Sequence, residues 1–183
     1  MSGLTANPRG ASEDATPPET KSAWTRQTLV ISSSIVRNIE LPNVSTRCYP
    51  GARLGDIEGN LRQIRKSKNR YRHIIVHAGG NDVRRGQSEV VKTQVEAVCT
   101  LAKSMCEKVV FSGPLPDFSS SERFSRFSAF NRWLSKWCPE NDVGFIDNWS
   151  SFEGIPGLIR YDGIHPTQAG SQRLANNMCW SLE

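Results

Sequence analysis

No apolar run in the sequence approaches the eighteen or more residues that a membrane-crossing helix requires, which excludes a transmembrane protein. The N-terminus, MSGLTANPRGASEDATPPET, lacks the apolar core behind a basic start that marks a secretory signal, so the expected compartment is the cytoplasm. Cysteine is sparse and poorly spaced for cross-linking. Cys48, Cys99, Cys106, Cys138 and Cys179 are odd in number and include no Cys-x-x-Cys pair, which argues against a disulfide framework and against a zinc site. They read instead as small buried hydrophobes. The Asn-x-Ser/Thr sequons at Asn43 and Asn148 would matter only in a secreted chain. There is no internal repeat, no zinc-knuckle spacing and no aromatic strand motif of the RNA-recognition type. No pattern calls for a metal or a cofactor.

What is present suits one domain: 183 residues, 37% hydrophobic and 22% charged. The formal net charge is +5. The first 24 residues hold Arg9 and Lys21 against Glu13, Asp14 and Glu19, so the remainder is more basic than the whole. Such an excess attracts anionic partners such as RNA or lipid headgroups and says nothing about fold. Residues 1–24 are rich in Pro, Ser, Thr, Ala and Glu with almost nothing to bury, the composition of a disordered leader or linker. Order is expected to begin near Trp24, with residues 25–183 as one folded domain.

From there short β-branched runs alternate with helical periodicities. Strands are expected at Thr28–Ile31, Ser45–Tyr49, His73–His77, Val109–Ser112 and Val143–Ile146. Leu54, Ile57, Leu61 and Ile64 fall at intervals of three and four, as do Val91, Val95, Val98, Ala102 and Met105, and again Phe127, Phe130, Leu134 and Trp137. A last helix is expected to start with Pro166 at its first position and run through Leu174 and Met178. Strands joined by helical crossovers imply a three-layer α/β/α fold, a doubly wound five-stranded parallel sheet of flavodoxin-like order 2-1-3-4-5, with 3-2-1-4-5 as the alternative.

In such sheets ligands bind beyond the carboxyl ends of the strands. Ser34 follows the first strand, Gly51 the second, Gly80-Asn81-Asp82 the third, and Asp162-Gly163-Ile164-His165-Pro166 lies beyond the fifth. A serine hydroxyl is a poor nucleophile at neutral pH and needs a base and donors for the oxyanion it creates. His165 can be that base. Asp162 precedes it by three residues, so a tight turn can place the carboxylate under one ring nitrogen while the other faces Ser34. The backbone N–H of Ser34, the N–H of Gly51 and the amide of Asn81 can serve as oxyanion donors.

Each residue also has a plainer explanation. Serine before a helix is usually a cap, Gly51 after Pro50 suits a type II turn, and Gly-Gly-Asn-Asp suits a turn with a capping aspartate. The joint placement at strand ends favours the hydrolytic site. Asp147, just after the fifth strand, is a rival acid, whereas His73 and His77 read as half-buried structural histidines.

In these blocks the sequence resembles the SGNH (GDSL-type) hydrolases, whose Ser, Gly, Asn and final Asp-x-x-His occur in this order across most of residues 27–182. Ser34-Ile35-Val36-Arg37-Asn38 and Cys48-Tyr49-Pro50-Gly51-Ala52 further resemble the esterase domain of the first open-reading-frame protein of certain vertebrate LINE retrotransposons. One departure is plain: Ser32-Ser33-Ser34 stands where the family has Gly-Asp-Ser, so the nucleophile is kept and its two leading residues are not. The resemblance implies a serine esterase acting on short acyl or acetyl esters, or a lipid ester, through an acyl-serine intermediate. Ser34, Asp162 and His165 would form its triad, with Phe118, Phe124 and Ile164 flanking the acyl pocket. The alternative is a catalytically weak or inactive module of the same fold that binds RNA or anionic membranes. The densest basic run, Arg62, Arg65, Lys66, Lys68, Arg70 and Arg72, would carry that binding, unless it is only a solvated helix end.

Overall fold

The computed structural model describes residues 26–182; the leader read over residues 1–24, Trp24 included, lies outside them. Five strands, β1 (Arg26–Ser32), β2 (Val44–Cys48), β3 (Tyr71–His77), β4 (Cys106–Ser112) and β5 (Gly144–Ile146), form one sheet. All pairings are parallel and the order is β2-β1-β3-β4-β5, the expected flavodoxin-like order rather than its alternative. Among the described residues six helices surround it: α1 (Leu54–Lys66), α2 (Gly80–Val83), α3 (Ser88–Lys103), α4 (Ser121–Glu140), α5 (Asn148–Phe152) and α6 (Gln168–Trp180). A single 3-10 turn, Ser34–Val36, follows β1. No helix among the described residues is long and apolar enough to cross a membrane.

Both sheet faces are buried, which explains why the strands are apolar at consecutive positions rather than alternately. Leu29, Ile31, Ile74, Val76, Val109 and Phe111 face one way, joining Leu54, Ile57 and Leu61 of α1, Val95 and Val98 of α3, and Phe127 and Leu134 of α4. Val30, Ile75 and Val110 face the other, against Val36, Phe152, Leu174 and Met178. Each such side chain contributes roughly 1.5–3 kcal/mol by leaving water.

Most periodic residues lie where expected, with three adjustments. Met105 belongs to the turn after α3 and is buried there rather than on the helix. Val143 precedes β5. Pro166 is not the first helical residue: it pairs as an antiparallel bridge with Ile159, and Thr167 caps α6 by accepting from Gly170 N–H at 3.1 Å. The helix therefore starts two residues later, at Gln168, than proline chemistry alone suggested.

The strand order puts the reversal of winding between β1 and β3. Their ends are joined directly, Ser33 N–H donating to the His77 carbonyl at 3.3 Å. A crevice at this carboxyl edge follows from the topology.

Candidate active site

The serine triplet is divided by its surroundings. Ser32 ends β1, is fully buried, and donates its hydroxyl to the Ser33 carbonyl at 2.8 Å. That carbonyl also accepts the Cys48 thiol at 3.0 Å. Ser33 sits in the N-cap position of the 3-10 turn, buried, and makes no side-chain capping bond. Ser34 opens the turn, half-buried, and its hydroxyl has no hydrogen-bond partner among the described residues. It does not act as a cap.

The next two blocks are tied to each other. Tyr49-Pro50-Gly51-Ala52 is a turn closed by Ala52 N–H on the Tyr49 carbonyl at 3.0 Å, with Gly51 at φ +77° as a type II turn demands. The Ala52 carbonyl accepts Asn81 Nδ2 at 2.9 Å, and the Asp82 carboxylate accepts Leu54 N–H at 3.1 Å. The aspartate in Gly-Gly-Asn-Asp is thus a cap, but for α1 rather than for its own helix. Burial pushes the Asp82 carboxyl above its usual range, opposed by the Leu54 N–H.

Beyond β5 the chain turns tightly at Asp162–His165. Asp162 Oδ1 accepts the N–H groups of Ile164 and His165, both at 2.9 Å, and Oδ2 lies 2.6 Å from His165 Nδ1. The backbone and ring hydrogen bonds from His165, with that from Ile164, draw the Asp162 carboxyl down to about 2. Asp147, the rival acid, caps α5 through Ser150 N–H at 3.2 Å and the Ser150 hydroxyl.

Ser34, Asn81, His165 and Ile164 line one small cavity of about 30 Å³ with Ile35, His77, Arg84, Leu115, Asp117 and Phe127. Gly51 is not among the lining residues; it stays in the adjoining turn. Phe118 and Phe124, expected to flank the acyl pocket, do not line it. They pack on each other with ring centres 5.6 Å apart, and Phe124 lies 5.2 Å from Trp149. Leu115 and Phe127 wall the cavity in their place. A larger cavity, about 360 Å³, lies between α3 and α4 over Val91, Phe130 and Trp133, away from Ser34 and His165.

Two polar groupings escaped the sequence reading. One is the Arg84–Asp117 pair, Nε to Oδ2 3.0 Å, beside Asn81. The other is buried: His77 Nδ1 lies 2.9 Å from Ser112 Oγ, which accepts Asn148 Nδ2 at 2.8 Å and so has its own proton free for His77. His77 is fully buried rather than half-buried, and burial pushes its imidazole down to about 4 against an opposing hydrogen bond with the Ser112 backbone. His73, half-buried, is lowered by burial and then by Arg72 and Lys108. The available signal was positional, since His77 and Ser112 are the last residues of neighbouring strands. No cluster of metal-ligating side chains occurs among the described residues.

The profile of the GDSL-like lipase/acylhydrolase family matches residues 6–173. The chain belongs to this family. Among solved structures it is similar to the esterase domain of the ZfL2-1 ORF1 protein from a zebrafish retrotransposon. That domain is 35% identical, with 85% of this chain and 98% of that one covered at a TM-score of 0.50. A lipolytic G-D-S-L family protein from Veillonella parvula is 17% identical, with 84% and 96% covered and a TM-score of 0.73. The acetylxylan esterase Axe2 from Geobacillus stearothermophilus is 14% identical, with 86% and 94% covered and a TM-score of 0.71. The last two likenesses speak for the fold alone. No curated protein matches this GDSL-family chain significantly.

Proposed function

We propose that the protein is a serine esterase that hydrolyses short acyl or acetyl esters through an acyl-serine intermediate. The observation that carries this reading is the Asp162–His165 contact at 2.6 Å on a cavity shared with Ser34, whose hydroxyl is otherwise unbonded. Asp162 holds the Nδ1 proton, leaving Nε2 as the base. Ser34 Oγ attacks the ester carbonyl as its proton passes to His165, and the oxyanion is held by Ser34 N–H and the Asn81 amide, both on the cavity, rather than by Gly51, which lies outside it. Collapse of the adduct breaks the ester C–O bond, and the alcohol leaves with the proton from His165. Water, deprotonated by the same imidazole, then releases the acid and restores Ser34. A cavity of about 30 Å³ walled by Leu115 and Phe127 favours a small acyl group. The likeness to the zebrafish esterase domain supports a retrotransposon-encoded origin. Axe2, a protein named for acetylxylan, has been solved as catalytic mutants of a serine, an aspartate and a histidine, the same three residue types.

The test is hydrolysis of a short-chain aryl ester. Ser34→Ala should lower turnover by about 10³-fold or more with folding unchanged. Retained activity in Ser34→Ala with loss in Ser33→Ala or Ser112→Ala would overturn the assignment.

A second reading, binding of RNA or anionic membranes, has one specific support. Arg65, Lys66, Lys68 and Arg70 are exposed and carry no carboxylate partner among the described residues, while Arg62 and Arg72 pair with Glu58 at 2.5 Å and Glu107 at 4.0 Å. This edge lies at the amino end of β3, opposite the cavity. Neutralising Lys66, Lys68 and Arg70 should weaken salt-sensitive binding to anionic vesicles or RNA and leave ester turnover unchanged.

A further inference from the structure

An asparagine that stabilises an oxyanion must present nitrogen, not oxygen, to the developing charge. The two ends of its amide have nearly the same shape, so packing alone does not choose between them. In this protein both ends of the Asn81 amide are bonded. One Nδ2 hydrogen goes to the Ala52 carbonyl at 2.9 Å, and Oδ1 accepts Arg84 Nη1 at 3.2 Å. A flipped amide would set its oxygen against the Ala52 carbonyl and its N–H₂ against a guanidinium. The second Nδ2 hydrogen remains for the cavity.

Arg84 is itself held. Its Nε donates to Asp117 Oδ2 at 3.0 Å, and its guanidinium lies 5.3 Å from the centre of the Phe127 ring. Asp117 is only 1% exposed, and its other oxygen accepts Ser119 N–H at 3.0 Å and the Ser119 hydroxyl. The next residue reaches the acid–base turn, as Phe118 N–H donates to the Gly163 carbonyl at 2.8 Å, one residue beyond Asp162. The contact is close: a Cβ on Gly163 would stand 2.9 Å from Phe118 C and from Ser119 N.

We infer that Arg84 and Asp117 are positioning residues, which fix the Asn81 amide for oxyanion binding and tie it through the Asp117–Ser119 loop to the turn that carries Asp162 and His165. This rests on the oxyanion role proposed for Asn81. Arg84 works through its fork, one arm on Asp117 and another on Asn81, which a lysine ammonium cannot reproduce.

The experiment is a double-mutant cycle on short aryl ester hydrolysis by the full chain. Arg84→Lys keeps a cation beside Asp117 and should lower kcat by about 10- to 100-fold while KM stays within about threefold, the signature of an interaction realised in the transition state. In an Asn81→Ala background the same change should alter kcat by less than about twofold, because the amide it orients is gone. An unchanged kcat in Arg84→Lys, or an equal loss in both backgrounds, overturns the inference and leaves the esterase reading intact. Full turnover in Asn81→Ala removes the oxyanion role and the inference with it. Should Arg84→Lys fold poorly, Asp117→Asn is read in the same cycle, with about a three- to tenfold loss of kcat expected only when Asn81 is present. No loss there overturns the proposal equally.

Discussion

Ser34 gains nothing from its own side chain that Ser32 and Ser33 lack; position separates them, Ser32 being buried at the strand end, Ser33 buried although it too borders the cavity, and Ser34 half-buried on it. The same holds for the two candidate acids. Asp147 is occupied as a helix cap, whereas Asp162 spends one oxygen on two backbone N–H groups and offers the other to His165. Asp162→Asn should lower kcat by about 10²-fold or more with little change in KM, because the wrong imidazole tautomer is then favoured. Asp147→Asn should leave ester hydrolysis near normal; the reverse pattern would move the acid to the loop after β5. Since the Asp162 carboxyl lies at about 2, it is charged throughout the usable range. The activity profile should therefore carry no step from Asp162 across the neutral range.

Two helical glycines show how context inverts a propensity. Gly59, in α1, would place a Cβ with nothing within 4 Å, so Gly59→Ala should stabilise the fold by about 0.5–1 kcal/mol. Gly170, in the first turn of α6, would place its Cβ 2.0 Å from the Leu158 carbonyl oxygen, which already accepts Thr167 N–H at 2.9 Å. There the overlap is with backbone, and overpacking of about 1–3 kcal/mol exceeds the helix gain. Thermal unfolding followed by circular dichroism should show Tm raised in the first variant and lowered in the second. Elements with long apolar periodicity, α1, α3 and α4, were legible because residues three and four apart must share a face. The short helices α2 and α5 were not, since four or five residues carry no period.

At the scale of the whole molecule, the buried His77 links folding to pH. An unfolded histidine takes up a proton below its ordinary value of 6.5, whereas in the native state His77 does so only near 4. Between those values the unfolded state binds more protons, so stability rises with pH across the window, is lost on acidification through it, and is flat above. The whole window corresponds to about 3 kcal/mol. Tm measured from pH 7 to 4 should fall in the wild type and fall less in His77→Gln, and equal slopes would count against this account.

The succession of apolar runs by itself determined the layered architecture, because strands such as Leu29–Ile31 and Ile74–Val76 are apolar on both sides and need cover on both. It also determined which four loops meet at one edge, since parallel strands place all their carboxyl ends together. Only the tertiary structure decided the rest: that Gly51 adjoins rather than lines the cavity, that Phe118 and Phe124 turn to Trp149, and that His77 is buried on Ser112. It alone joined Arg84 to Asp117, 33 residues apart. The reason is range: periodicity and turn chemistry are set by neighbours in the chain, whereas hydrogen-bond partners and cavity walls come from segments that meet only once the sheet has closed.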